Sequence, residues 1–373
     1  MAYSGQMNSY ENTVPDKRMV TDRILNINPL KIATYARLGA DIGKFNFVNE
    51  PSTKYEWLED AYVAESCTVT GLSSGTTTTT FTPSSLTLLQ PGDLLKIDSE
   101  VVWVSSVSSG IPTVTRGYGG STAATHADAS TALRVGRARI DGDDADDSPQ
   151  TEVSSAYNYT QIFQRSIDLA RTRRKMQAYG IADPLEYEKD KKMDELMMQL
   201  CKLPYHGLRY VGTSSAARTA GGFRQFITTN TTDVSSGALT RDHIDDLLQD
   251  IHGYGGDPDV ILCGSFSQRK INSFYEGFIT TERSEAMGGN LIKMLQNPIS
   301  GSIIDVVVDL HCPTDELWVL QSDQVGYFPF DPFFYEDLAK TGDADNGEII
   351  GEYGFVVKAE KWHGYLDGIS TSD

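Results

Sequence analysis

Between Ser66 and Gly136 the chain changes character: Ser and Thr dominate, charged residues thin out, and Thr76–Thr80 is an unbroken threonine run. Turns punctuate the segment. Pro91-Gly92-Asp93 precedes Leu94–Ile97, Asp98-Ser99 precedes Glu100–Val104, and Ser108–Gly110 precedes Thr113–Thr115. Short strands with turns every several residues make a small all-β unit. The sequence on its two sides differs from it and resembles itself. The chain therefore leaves one body, builds a β module, and returns to the same body.

That body reads as mixed α+β. Tyr55-Glu-Trp57-Leu-Glu59 alternates apolar and polar residues, a half-buried strand. Asp183 is an N-cap, Pro184 suits the first helical position, and Glu186 completes a capping box. Met193, Leu196, Met197, Leu200 and Leu203 form one helical stripe, and Pro204 is expected to stop the helix. Thr240 caps a second helix with Ile244, Leu247, Leu248 and Ile251 on one face, ended by Gly253. Gly255–Pro258 turns the chain into the strand Val260–Cys263, and Ser265 or Ser267 opens a third helix with Ile271 and Phe274 inward. Ile303–Val308, Leu317–Leu320, Val325–Phe328 and Gly351–Ala359 read as strands. Residues 1–30, with Pro15, Pro29 and little periodicity, read as an extended arm. An arm without its own core must lie on something else.

A length of 373 residues suggests two or three domains, and 39% hydrophobic with 22% charged residues suffices for a real core. With 32 Lys and Arg against 51 Asp and Glu, the formal net charge is −19. That disfavours a nucleic-acid binder, which needs clustered cations for phosphate. The polar N-terminus carries no secretory signal pattern, and no apolar run reaches the roughly 18 residues of a membrane span. A soluble protein made in a cytoplasm is expected.

The search for chemistry comes up empty. Cys67, Cys201, Cys263 and Cys312 are far apart among apolar neighbours, so buried thiols are expected rather than a zinc site. Histidines 126, 206, 243, 252, 311 and 363 share no ligand spacing. Gly71-Leu-Ser-Ser-Gly75 matches a nucleophile-elbow pattern around Ser73, but lacks the strand and helix that an elbow needs. Gly117-Tyr-Gly-Gly120 has no Walker lysine. Asp141–Asp147 lacks the spacing and closing Glu of a calcium loop and reads as a solvated acidic turn; Arg171–Lys175 reads as a solvated or salt-bridged basic face. No catalytic, cofactor-binding or metal-binding residue is nominated, and no enzyme is expected. Arm and loop bury too little alone to offset their ordering entropy, so neighbouring subunits are expected to supply the missing contacts.

An ordered series of stretches carries a resemblance. It comprises Asn158–Phe163, Gly221–Ile227, Gly256–Leu262, Leu338–Asp343, and Glu348–Phe355 ahead of Lys361–Gly364. Within the Ser/Thr-rich segment, Gly92–Val101, Val114–Gly119 and Ala123–Ala127 resemble a small β module recurrent in phage structural proteins. Taken in order, these resemble the major capsid proteins of tailed bacteriophages with the Hong Kong 97-like fold, in the branch with an insertion domain in the extended loop.

The resemblance implies an N-terminal arm (1–40), an extended loop (41–66 and 136–165), an inserted β domain (67–135), a peripheral domain with a long spine helix (166–205 and 329–373) and an axial domain (206–328). It implies self-assembly as hexamers and pentamers into an icosahedral shell enclosing double-stranded DNA without sequence-specific binding. Portal, scaffolding and decoration proteins are the further partners implied, with assembly in the bacterial host cytoplasm and no membrane. An encapsulin-like compartment shell shares the fold, and a β-rich surface-binding module is the alternative from another class.

Overall fold

The computed structural model describes residues 31–39, 52–63, 65–73, 75–84, 89–139, 141–142, 151–176, 181–274, 294–340 and 342–371. The arm reading for 1–30, the first part of the loop at 41–51 and most of the acidic turn lie outside these residues. In chain order the elements begin with α1 (Ala33–Leu38), β1 (Lys54–Glu59), β2 (Ser66–Thr70), β3 (Thr82–Pro83), β4 (Asp93–Ile97), β5 (Glu100–Ser108) and β6 (Ile111–Thr115). Next come β7 (Ser130–Arg137), β8 (Ser154–Tyr159), β9 (Gln161–Ala170), α2 (Arg171–Lys175), α3 (Pro184–His206), α4 (Phe223–Phe226), β10 (Thr231–Asp233), α5 (Arg241–Gly253), β11 (Val260–Cys263) and α6 (Ser265–Phe274). The last are β12 (Met294–Gln296), β13 (Ile303–Val308), β14 (Leu317–Leu320), β15 (Val325–Asp337), β16 (Ala344–Val357) and β17 (Gly364–Asp367). The chain divides into two compact units, one spanning Leu58–Ala156 and the other comprising the residues on both sides of it.

In the larger unit a six-stranded mixed sheet runs β10-β17-β14-β11-β13-β12, and a three-stranded antiparallel sheet runs β15-β16-β9. All four residues of β11 and of β14 are buried because both faces of that sheet are covered. Val260, Leu262, Trp318 and Leu320 face one core with α3; Ile261, Cys263, Leu317 and Val319 face the other with α5 and α6. The stripe on α3 points inward throughout, with Leu196, Leu200 and Leu203 buried and Met193 and Met197 partly so. Asp183 caps α3 by accepting from the Leu185 N–H, whereas Glu186 pairs with Lys189 instead of closing a capping box.

Pro204 does not stop α3, which continues to His206. A proline removes the N–H that would bond the carbonyl four residues back. That carbonyl, on Leu200, accepts the Tyr327 hydroxyl instead, at 3.3 Å. The sheet thus supplies the donor that the helix lacks. β15 likewise outruns its expected end at Phe328. It is an edge strand, and irregularities in its register at Pro329–Asp331 and Asp331–Phe334 accommodate the prolines. The segment read as an arm is helical over α1, where Leu38 joins the α3 core and Arg37 lies 3.2 Å from Asp259 and 3.1 Å from Asp305.

The smaller unit carries an antiparallel six-stranded sheet ordered β3-β2-β7-β4-β5-β6. Val69, Leu95, Ile97, Val102, Val104, Val114 and Ala132 project to one face, which Leu72, Phe81 and Leu89 cover. The turns sit where expected, with Asp98, Ser109 and Gly92 at positive φ. β1 and β8 pair as a two-stranded ribbon.

Candidate assembly site

The stretches that stood apart in the sequence meet where β1 and β8 join the larger unit. Tyr55 alternates inward on β1 and is buried. Its hydroxyl donates to the Phe355 carbonyl at 2.9 Å and accepts the Phe355 N–H at 2.7 Å. Gly354 makes this possible, since a Cβ there would sit 2.4 Å from the Tyr55 hydroxyl. Burial pushes the Tyr55 phenol far above its ordinary range, so it stays a neutral donor.

Asn158 is the hub. It is wholly buried, and its Nδ2 donates to the carbonyls of Gly221, at 3.0 Å, and Phe355, at 2.7 Å. Its Oδ1 accepts the N–H groups of Gly221 and Tyr159, each at 2.9 Å. One side-chain amide therefore spends its full hydrogen-bonding capacity on three chain segments. The Thr160 N–H donates to the Thr53 carbonyl at 2.9 Å, and its hydroxyl bonds Glu352. Arg218 also bonds Glu352 and reaches the Thr160 carbonyl at 3.0 Å. Arg209 donates to the Tyr157 carbonyl at 2.8 Å and lies over the Tyr157 ring, while Trp57 packs on Phe226. The Asn158 amide and the Tyr55 phenol bond backbone groups, while Glu352 takes the Thr160 hydroxyl and Arg218. These backbone bonds tie Tyr55 of β1 and Asn158 of β8 to Phe355 of β16 and to the segment at Gly221.

The other stretches support this frame. His363 is buried and neutral: Nδ1 accepts the Gln321 N–H at 3.1 Å and Nε2 donates to the Lys358 carbonyl at 3.0 Å. Burial lowers its pKa to about 4. Asp259 accepts the Ser322 N–H and hydroxyl, and Gly256 lies against Ile251 and Trp362. Beyond Leu338, Asp343 lies 2.5 Å from Arg171, and Asp345 takes Arg174 and Lys340. The four cysteines are buried and free; burial pushes Cys201 and Cys263 up to about 12.

In the smaller unit, sequence reasoning missed a second hub. Glu100 is fully buried and pairs with Arg116 through two bonds of 2.8 Å. It also accepts the N–H of Gly117 at 2.9 Å and of Ala124 at 3.0 Å, and His126 Nε2 lies 2.9 Å away. Burial alone would raise this carboxyl; the bonds from Arg116, Ala124, His126 and Gly117 outweigh it and hold the pKa at about 2. Arg116 and His126 lie in two of the stretches singled out within the module, and Glu100 lies in the third. Ser73, by contrast, sits in a turn with its hydroxyl 3.3 Å from Asp128, while Asp98 and Glu100 occupy both ring nitrogens of His126. Among the described residues no group of three or more His, Cys, Asp or Glu side chains could hold a metal ion.

Each unit also exposes large apolar side chains. Leu58 and Tyr62 do so in the smaller; Ile162, Leu208, Tyr210 and Val211 do so in the larger. The family model described as SU10 major capsid protein matches residues 3–370. The chain belongs to the SU10 major capsid protein family. It is a shell-forming head protein of a tailed phage, located in the virion shell. The match includes the Ser/Thr-rich segment as well as its flanks, and it favours a phage head over the cellular compartment shell of the same fold.

Solved structures agree on the fold of this capsid protein. The cyanophage A-1(L) capsid subunit is 12% identical, covers 98% of this chain and 100% of its own, and superposes with a TM-score of 0.59. A chain from Mycobacterium phage Adephagia is 9% identical over 97% of this chain and 98% of its own, with a TM-score of 0.52. The capsid chain of a native GTA particle is 8% identical over 97% of each, also at 0.52. No curated protein matches the sequence. Among the described residues no helix is long and apolar enough to cross a membrane.

Proposed function

We propose that the chain assembles as hexamers and pentamers into an icosahedral shell that encloses double-stranded DNA. The observation that carries this reading is the family match across residues 3–370. The protein acts by geometry and not by catalysis. The buried hub of Tyr55, Asn158 and Phe355 sets the direction of the β1–β8 ribbon, which serves as the base of the extended loop (41–66 and 136–165). Residues 67–135 serve as the inserted β domain and 1–40 as the arm. Residues 166–205 with 329–373 form the peripheral domain, and 206–328 the axial domain.

The net charge of −19 suits a wall that confines DNA without gripping it, so binding is not sequence-specific. Portal and scaffolding proteins, and a decoration protein on the inserted domain, are the further partners this function calls for. Synthesis and assembly take place in the host cytoplasm. The test is cryo-electron microscopy of the expressed chain, alone and with its phage's scaffolding protein. Closed shells with five- and six-fold capsomers are expected. A species of 41.0 kDa that stays monomeric over a wide range of concentration and salt would refute the reading. A gel shift with one preferred DNA sequence at physiological salt would overturn the DNA statement.

A further inference from the structure

The helix α1 is too short to stand alone. It has six residues and no side-chain cap at its N-terminus, and an isolated helix of that length does not hold in water. It is therefore helical only while docked. It packs against α3, β13 and β15, with Leu38 buried in the α3 core and the Tyr35 ring 5.2 Å from that of Tyr327. Two polar contacts hold it there. The buried Thr34 hydroxyl donates to buried Asp309 and lies 2.7 Å from the Tyr205 hydroxyl. Arg37, partly exposed, bridges Asp259 and Asp305.

The seat beneath α1 is built differently. Buried carboxyls stripped of their bonds would make undocking as costly as unfolding, but these carboxyls hold further bonds inside the body. Asp309 has the Tyr205 hydroxyl at 3.3 Å and, on its other oxygen, the His311 N–H at 2.8 Å. Asp259 accepts the N–H and the hydroxyl of Ser322. Asp305 is partly exposed to water, and its strand β13 is laddered to both β11 and β12. The seat is complete without the helix, whereas the helix is not complete without the seat.

We propose that α1 is a strap that opens from the larger unit as one piece while the rest of that unit stays closed, with the Thr34–Asp309 bond as its catch. Local opening of this kind falls below the free energy of global unfolding because few contacts are lost and no strand ladder breaks. An open strap changes the point from which the preceding chain leaves the body. That suits a subunit whose neighbours in hexamers and pentamers stand at different angles. This use rests on the assembly reading above; the opening itself does not.

Two native thiols test it. Cys201 on α3 is fully buried with its sulfur against the Tyr35 backbone, so α1 covers it. Cys263 is equally buried in the other core, with α5 and α6. Pulse alkylation of the full chain with N-ethylmaleimide, read by peptide mass spectrometry, gives the two rates separately. Cys201 is expected to label faster than Cys263 in the parent. T34V/R37A removes both polar contacts and is expected to speed Cys201 labelling by roughly tenfold to a hundredfold while leaving Cys263 as it was. T34S keeps the hydroxyl and is expected to label like the parent. Equal rates at the two thiols in the parent would overturn the inference, because α1 would then open only with the whole unit. Cys263 speeding up in step with Cys201 in T34V/R37A, or a Cys201 rate that the variant does not change, would overturn it too. The expected labelling in a chain that never oligomerises would uphold the strap and refute the assembly reading alone.

Discussion

Glu100→Gln tests how the smaller unit keeps its shape. The stretch from Arg116 to Ala129 crosses the module with no strand of its own, and its backbone donors at Gly117 and Ala124 are met by the Glu100 carboxylate. Glutamine keeps the shape but loses the charge opposite Arg116, which is itself 5% exposed. A carboxyl held at about 2 instead of 4.5 contributes about 3 kcal/mol to the folded state. Breaking a buried pair by removing one partner costs about 3–5 kcal/mol, which agrees. Hydrogen exchange on the intact chain at pH 7 is the assay. A loss of about 3 kcal/mol speeds exchange through unfolding on the order of 100-fold. The effect is expected in peptides covering β5 and β6 and is not expected in α3, which belongs to the other compact unit.

The sign with pH follows from the same values. A lowered carboxyl pKa gives stability that is present above 4.5 and lost as pH falls toward 2, so the parent module is expected to weaken across that window and the variant much less. Unchanged protection in E100Q, or a loss shared equally with α3, would refute the reasoning.

Three further outcomes are expected. Tyr55→Phe leaves the buried Phe355 N–H without its acceptor and should cost about 1–3 kcal/mol in chemical denaturation, while Gly354→Ala should cost more because its Cβ would overlap the Tyr55 hydroxyl. His363 titrates near 4 when folded and near 6.5 when unfolded, so stability is full above 6.5 and falls by about 3 kcal/mol as pH drops through 4. Urea midpoints of parent and His363→Asn at pH 7.5 and 5 should show a smaller pH effect in the variant. Deleting 68–134 and bridging the gap with a short Gly/Ser linker should leave shells that form but are less heat-stable, as read by light scattering and imaging; folded subunits that never close would make the module an assembly contact.

Periodicity revealed the elements that bury one face or both. The α3 stripe, the α5 face and the run Val260–Cys263 are legible because each side chain answers to a core directly above it. The misreadings share a different cause. Pro204 looked like a stop, and the strand from Val325 was expected only to Phe328, because proline's cost is local while its compensation is distant. Tyr327 supplies the donor for Leu200, and an edge position tolerates the irregular register. A local rule fails where another part of the chain pays its penalty.

The hubs were hidden for a related reason. Asn158 is one asparagine among many, and nothing within a few residues of it signals that Gly221 and Phe355 will converge on its amide. The available clue was indirect: glycine at 354 in a strand leaves space, and an aromatic such as Tyr55 is what fills such space. Glu100 shows the same logic with charge. It follows a turn, where an acid is ordinarily solvated, and its burial becomes tolerable only when Arg116 and His126 arrive from a loop 16 to 26 residues later. Polar residues that hold distant segments together carry no period, because what they satisfy is an accounting of donors and acceptors across the fold. Within each compact unit the buried polar atoms of Asn158 and Glu100 close that accounting by meeting donors and acceptors from segments far apart in the chain.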